Sequence, residues 1–324
     1  MKKYLFFVFK VFLTVAILTM LIRLTRGEAL QAAFRQMQPR FVWGAVALLP
    51  FNLGFQILRW HVLVQPLVRP AVWQSVRSVL GGYSLMLITP GRFGEAGRAL
   101  FFKSDRKWLI AVMFVVDKAF ASLTLLLFLC LSLAIWWGAH YWVLFAAVLL
   151  LCLSLLNHPQ WVKWIFDRIS QRIYHQNIPS TLTRIQFVLA LCYSIFAFLV
   201  YALQYLLLIN AFEPVSVRIG FIAFPLMMGI NAFAITIGGL GIREAGAIVA
   251  FGLFDVARAS ALMASLLFYG LNVLLPGLLG IPILWMEGVG RMKAEGGRMK
   301  DEGGRRKDEG GRRKDEGGRR KDEG

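Results

Sequence analysis

Apolar residues run through this chain in stretches much longer than a soluble helix buries, separated by short polar breaks. The first, residues 4–22, is long enough at about 1.5 Å per residue to cross a hydrocarbon layer of about 30 Å. Cations, Arg23 and Arg26, follow it where a cleavage site would need small residues, so it reads as a retained first helix and not as a signal peptide. Residues 28–38 are amphipathic and predict a short helix lying along the membrane surface. Residues 41–58 predict a second span, closed by Arg59, Trp60 and His61, a cation and aromatic set suited to the headgroup level. Residues 62–78 carry Pro66, Arg69, Pro70 and Arg77 and read as an interfacial connection. The apolar run 79–90 is too short to cross unaided, which predicts a re-entrant half-helix.

Further along, residues 108–137 form a span containing the pair Asp117-Lys118, and residues 143–156 return across the membrane. The connection between them, residues 136–142, holds four aromatics and no Lys or Arg, the pattern of a non-cytoplasmic interface. The loop 158–184 has Lys163, Arg168, Arg172 and Arg184 against Asp167 alone, and the positive-inside rule places it in the cytoplasm. Within it, Trp161, Trp164, Ile165 and Ile169 recur at helical spacing and predict a surface helix. Residues 185–211 form another span. Residues 221–237 and 245–253 read as half-helices around a second glycine-rich break, and residues 261–285 as a last span interrupted at Pro276-Gly277 and Pro282. The pattern therefore predicts an all-α, polytopic helical bundle of six spans with two re-entrant or broken-helix regions, or eight full crossings. Lys2-Lys3 place the N-terminus inside, whereas Arg23, Arg26, Arg35 and Arg40 argue for the reverse.

Composition agrees: 58% of the residues are hydrophobic and the mean hydropathy is +0.62, well above the roughly 45–50% apolar content of soluble domains. Residues 291–324 are near-identical seven-residue units of Arg, Lys, Asp, Glu and paired Gly. No position in the unit is reliably apolar, which excludes a coiled coil and predicts a disordered, charged tail. The chain divides accordingly into a membrane domain, 1–290, and that tail, 291–324. Most of the formal net charge of +18 sits in loops flanking apolar spans, where anionic headgroups account for it and nucleic acid does not. Cys130, Cys152 and Cys192 lie in apolar runs and read as small hydrophobes; the four His lack ligand spacing, so neither a metal nor another cofactor is expected.

Charge inside the apolar body is costly and therefore informative. Pro90, Gly91, Arg92, Gly94, Glu95 and Arg98 form one glycine-rich polar element; Gly239, Gly241, Arg243 and Glu244 form a second in the other half. If a helix begins near Phe93, Glu95 and Arg98 stand at i,i+3 and pair. Arg92 and the backbone N–H groups near Gly91 and Gly94 are then available to an anion such as a lipid phosphate. Arg243 and Glu244 are adjacent, so each is expected to find its partner elsewhere, with Asp117 and Lys118 as the candidates.

These elements, Pro90 to Arg98 and Gly238 to Ala245, together with Leu58-Arg59-Trp60, resemble the membrane region of lysylphosphatidylglycerol synthases, a flippase-like integral membrane family. The resemblance covers most of residues 1–290. It implies a lipid-handling membrane domain whose polar interior is lined by Arg92, Glu95, Arg98, Arg243 and Glu244. It further implies a stand-alone member, because 34 low-complexity residues occupy the place of the soluble aminoacyl-transfer domain, so synthase activity is not expected. The expected function is movement of a phospholipid or other anionic lipid between leaflets of the cytoplasmic membrane, with the tail cytoplasmic. The expected partners are membrane lipids, anionic or aminoacylated phospholipids among them, and either a second copy of the chain or a lipid-modifying enzyme. The competing expectations are an accessory subunit, or itself a lipid or polyprenyl-phosphate transferase. No DxD or HxxxD cluster supports the transferase, and no P-loop is present for ATP hydrolysis.

Overall fold

The computed structural model describes residues 16–17, 19–23, 25, 27–89, 91–102, 104, 107–157, 182–232 and 239–286. Most of the first span with Lys10, Pro90, the loop helix at Trp161 to Ile169, Gly238, Glu287 and the repeat tail lie outside them. The chain divides into two compact units, Met1–Gly280 and Ile281–Gly324, and the packing described below is that of the first. Every element is helical, with no strand among the described residues.

Helix α1, Gly27–Arg35, is the amphipathic segment expected from residues 28–38, and none of its residues is buried. Helix α2, Pro39–Val68, opens on a proline whose fixed φ suits a first helical position. It passes Pro50 and Pro66 without breaking and ends where Arg69 turns left-handed (φ 42°) and Pro70 cannot continue it. The expected interfacial connection thus shrinks to three residues. Helix α3 is correspondingly longer than the expected half-helix, Val72–Ile88. The glycine-rich element that follows is an eleven-residue 3₁₀ helix, Gly91–Phe101.

Helix α4, Lys107–Trp137, and helix α5, Ala139–Asn157, meet at Gly138, whose φ of 92° lets the chain reverse. Helix α6, Arg184–Asn210, starts with a capping box: the Thr183 hydroxyl accepts from the Gln186 N–H, and the Gln186 side chain accepts from the Thr183 N–H. Helices α7, Val217–Ala232, α8, Ile242–Gly252, and α9, Arg258–Tyr269, complete the second half. Beyond α9 the chain remains helical through a π turn, Gly270–Leu274, in which the Leu275 N–H bonds the Gly270 carbonyl. Pro276 and Pro282 do not interrupt this helix, contrary to expectation. A five-residue hydrogen-bond step directly before Pro276 accommodates its missing N–H and ring.

Among the described residues four helices, Pro39–Val68, Lys107–Trp137, Arg184–Asn210 and Arg258–Met286, are long and apolar enough to cross a membrane; His140–Leu155 and Val217–Ala232 are shorter apolar helices. Large apolar side chains such as Trp43, Phe51, Leu150 and Phe196 point outward. In water such surfaces would aggregate; against lipid they are solvated. Two apolar cores lie inside. One gathers Trp60, Val79, Tyr83, Ile110, Phe120 and Phe187 from α2, α3, α4 and the start of α6. The other gathers Phe198, Tyr205, Phe224, Phe251 and Phe268 from α6 to α9. Helix α6 is the wall they share, and each core carries one of the two polar elements.

Candidate functional site

The first polar element closes on α4. Gly94 has no room for a side chain, because a Cβ there would run into the Leu85 carbonyl and the Thr89 hydroxyl, so the 3₁₀ helix lies directly on the last turn of α3. That approach directs Glu95 and Arg98 at α4. Arg98 Nη2 donates to Glu95 Oε2 at 3.3 Å, the i,i+3 pair read from spacing, and Nη1 donates to Asp117 Oδ2 at 3.3 Å. The other oxygen of Asp117 accepts from Arg59 Nε at 2.6 Å, and Arg59 Nη1 donates to Ser194 Oγ at 3.2 Å. Lys118 Nζ pairs with Glu95 Oε2. Three rings surround the Arg98 guanidinium: Trp60 and Phe114 at 5.6 Å and Tyr83 at 6.0 Å.

Five charges from three elements therefore converge, three cations and two carboxylates. Arg98 and Asp117 are 1% and 0% exposed at the side chain, whereas Lys118 is 38% exposed, so Lys118 is the cation of this cluster that an external group can reach. Arg59 and Trp60 were expected at the headgroup level; the structure buries both, because Arg59 is drawn inward by Asp117. Gly91 and Arg92 lie at the start of the 3₁₀ helix. Gly94→Val would wedge this helix off α3. The expected result is a loss of about 1–3 kcal/mol, read as a lower unfolding temperature of the detergent-solubilised protein.

The second polar element closes on itself. Gly241 caps α8 with φ 90°, a conformation that favours glycine, and its N–H donates to Glu244 Oε2. Glu244 Oε1 accepts from Arg243 Nη2 at 2.7 Å, from Arg243 Nε at 3.2 Å and from Ser265 Oγ at 3.1 Å. The Arg243 guanidinium lies 4.8 Å from the Tyr269 ring. Arg243 and Glu244 thus pair with each other, and Asp117 and Lys118 belong to the first cluster, which corrects the expected assignment. The adjacency rule fails at a helix start: Glu244 folds back to the cap, and the long Arg243 stem reaches the same point.

A third polar set has no charge and was not anticipated. Asn52 Nδ2 donates to Gln204 Oε1 at 3.0 Å and to Asn272 Oδ1 at 2.8 Å; Gln56 Nε2 donates to Asn52 Oδ1, and Tyr83 OH to Gln56 Oε1. This chain of amides joins α2, α6 and the π turn, and Tyr83 links it to the ring cage around Arg98. Its signal in the sequence was the amides Asn52, Gln56, Gln204 and Asn272 inside otherwise apolar runs, the usual mark of a polar contact inside a membrane bundle. Among the described residues, no group of three or more His, Cys, Asp or Glu gathers where a metal could bind.

The sequence matches the family model described as lysylphosphatidylglycerol synthase TM region over residues 7–280, and the chain belongs to that family. No curated protein and no solved structure matches it. The protein is an integral, multi-pass membrane protein.

Proposed function

We propose that this member of the lysylphosphatidylglycerol synthase transmembrane family moves an anionic or aminoacylated phospholipid between leaflets, with the cluster of Glu95, Arg98, Lys118, Asp117 and Arg59 receiving the headgroup. The observation that carries this reading is the charge balance: three cations face two carboxylates inside a bundle otherwise covered by lipid-facing side chains. A phosphate is the anion that completes it, and Lys118 is the donor open to it. Arg92 belongs to the same 3₁₀ helix in sequence, and in this reading Arg243 and Glu244 line the opposite half. In this reading the chain is a transporter and not an enzyme and needs no cofactor. It sits in the cytoplasmic membrane with its tail inside, and a second copy or a lipid-modifying enzyme is its protein partner.

The test is leaflet exchange of fluorescent anionic, aminoacylated and zwitterionic lipids in vesicles holding the purified protein. Wild type is expected to exchange the anionic lipids. Lys118→Gln is expected to slow that exchange about tenfold or more, the effect of removing one hydrogen bond to a charged group, with the unfolding temperature retained. Exchange absent for every headgroup would sink the reading in favour of an accessory subunit. Exchange untouched by Lys118→Gln would remove the cluster from the path.

A further inference from the structure

Among the described residues three buried polar side-chain atoms have no hydrogen-bond partner: Arg98 Nε, Thr124 Oγ1 and Asn231 Oδ1. Arg98 belongs to the cluster above; the other two do not. Hydroxyls elsewhere in the bundle donate back to the carbonyl four residues earlier, as Ser84, Ser132 and Ser194 do, but that of Thr124 does not.

Helix periodicity places these two atoms. On α4, Phe120, Thr124 and Phe128 follow one another at four-residue steps along one face. On α6, Phe187, Ser194 and Phe198 share a face at seven- and four-residue steps. Phe120 meets Phe187 with ring centroids 4.8 Å apart, and Phe128 meets Phe198 at 4.6 Å. Thr124 therefore falls between two ring contacts, level with Ser194. Helix α7 runs antiparallel to α6, since the space at Gly220 is filled by Leu206 and Phe224 lies 5.5 Å from Phe198. Asn231, two turns beyond Phe224 on the same face of α7, is carried past that ring toward the level of Ser194. Ser194 in turn accepts from Arg59 of the charged cluster. A polar layer thus borders the cluster, capped by Phe128, Phe198 and Phe224.

We infer that α4, α6 and α7 enclose a second polar subsite that takes a hydroxyl group: the hydroxyl accepts from Thr124 Oγ1 and donates to Asn231 Oδ1. It rests on the transport reading, because the hydroxyl is that of the headgroup whose phosphate meets the neighbouring cluster. A buried water offers the same chemistry, and the experiment separates the two sources.

Purified wild type, Thr124→Val, Thr124→Ser and Asn231→Leu are compared for retention of phosphatidylglycerol against phosphatidylmethanol by native mass spectrometry, and for exchange of the same lipids in vesicles. Both lipids carry one negative charge, and only the first has headgroup hydroxyls. Wild type and Thr124→Ser are expected to favour phosphatidylglycerol about fivefold, and Thr124→Val and Asn231→Leu to bring the ratio near one. Because an unpaired polar atom is removed, neither of these two variants is expected to lower the unfolding temperature. A wild-type ratio near one, or a ratio unchanged in both variants, overturns the subsite. Destabilised variants with an unchanged ratio identify a structural water instead. A retention preference that the variants abolish, with no exchange of either lipid, upholds the subsite and removes the transport reading alone.

Discussion

Asp117→Leu is expected to produce the largest single loss of stability in the membrane body. Asp117 is fully buried and its two oxygens serve two different guanidinium groups, Arg59 at 2.6 Å and Arg98 at 3.3 Å. Removing it leaves Arg59 with Ser194 alone, and Arg98 with Glu95, which Lys118 already shares. An uncompensated buried charge of this kind costs about 3–5 kcal/mol. At about 2–4 °C per kcal/mol, the unfolding temperature of the detergent-solubilised protein falls by roughly 10 °C. The companion measurement is Asp117→Leu with Arg59→Met, which removes one charge of each sign and fills the space with apolar atoms. That double variant is expected to recover more than half of the loss. Unchanged stability in the single variant would show that water reaches the cluster and that the pairing contributes little.

Glu244→Ala is expected to come second, by a related route. Its carboxylate holds the Gly241 N–H, the Arg243 guanidinium and the Ser265 hydroxyl at once. Truncation leaves an open helix start and a buried cation that keeps the Ser265 hydroxyl and the Tyr269 ring, a loss of about 3 kcal/mol, at the low end for a broken buried ion pair, with about 1 kcal/mol of it from the cap. Glu244→Gln separates the two contributions, because an amide oxygen can still accept from Gly241 while the charge is gone. The expected order of unfolding temperature is wild type, then Glu244→Gln, then Glu244→Ala. Equal values for Gln and Ala would assign the whole effect to charge, and equal values for Gln and wild type would assign it to the cap.

Much of the local structure was legible. The runs at 108–137 and 185–211 correspond to α4 and α6 within a residue or two, because a continuous apolar stretch in lipid satisfies its backbone only as helix. The Glu95–Arg98 pair followed from spacing alone. Pro66, by contrast, was read as part of an interfacial connection and lies inside α2. The tolerance of a membrane helix for proline comes from the neighbours that pack on it, and no local pattern records them. The same holds for Pro276, whose cost is absorbed by the π turn before it. The burial of Arg59 was not legible, because its company, Trp60 and His61, suggests a headgroup boundary, while its partner Asp117 lies 58 positions away.

The sequence alone thus determined that the chain is a helical membrane protein, where most of its spans run, and that two glycine-rich charged elements stand one in each half. Hydrophobic length and local spacing are one-dimensional properties, and lipid leaves few alternatives to a helix. Only the tertiary structure decided which charges meet. It joined Arg59 to Ser194 across 135 positions, Asn52 to Gln204 across 152 and Asn52 to Asn272 across 220. Partner choice of this kind depends on which faces the helices turn toward one another. Those faces are set by packing along their whole lengths, and a short motif carries no record of it.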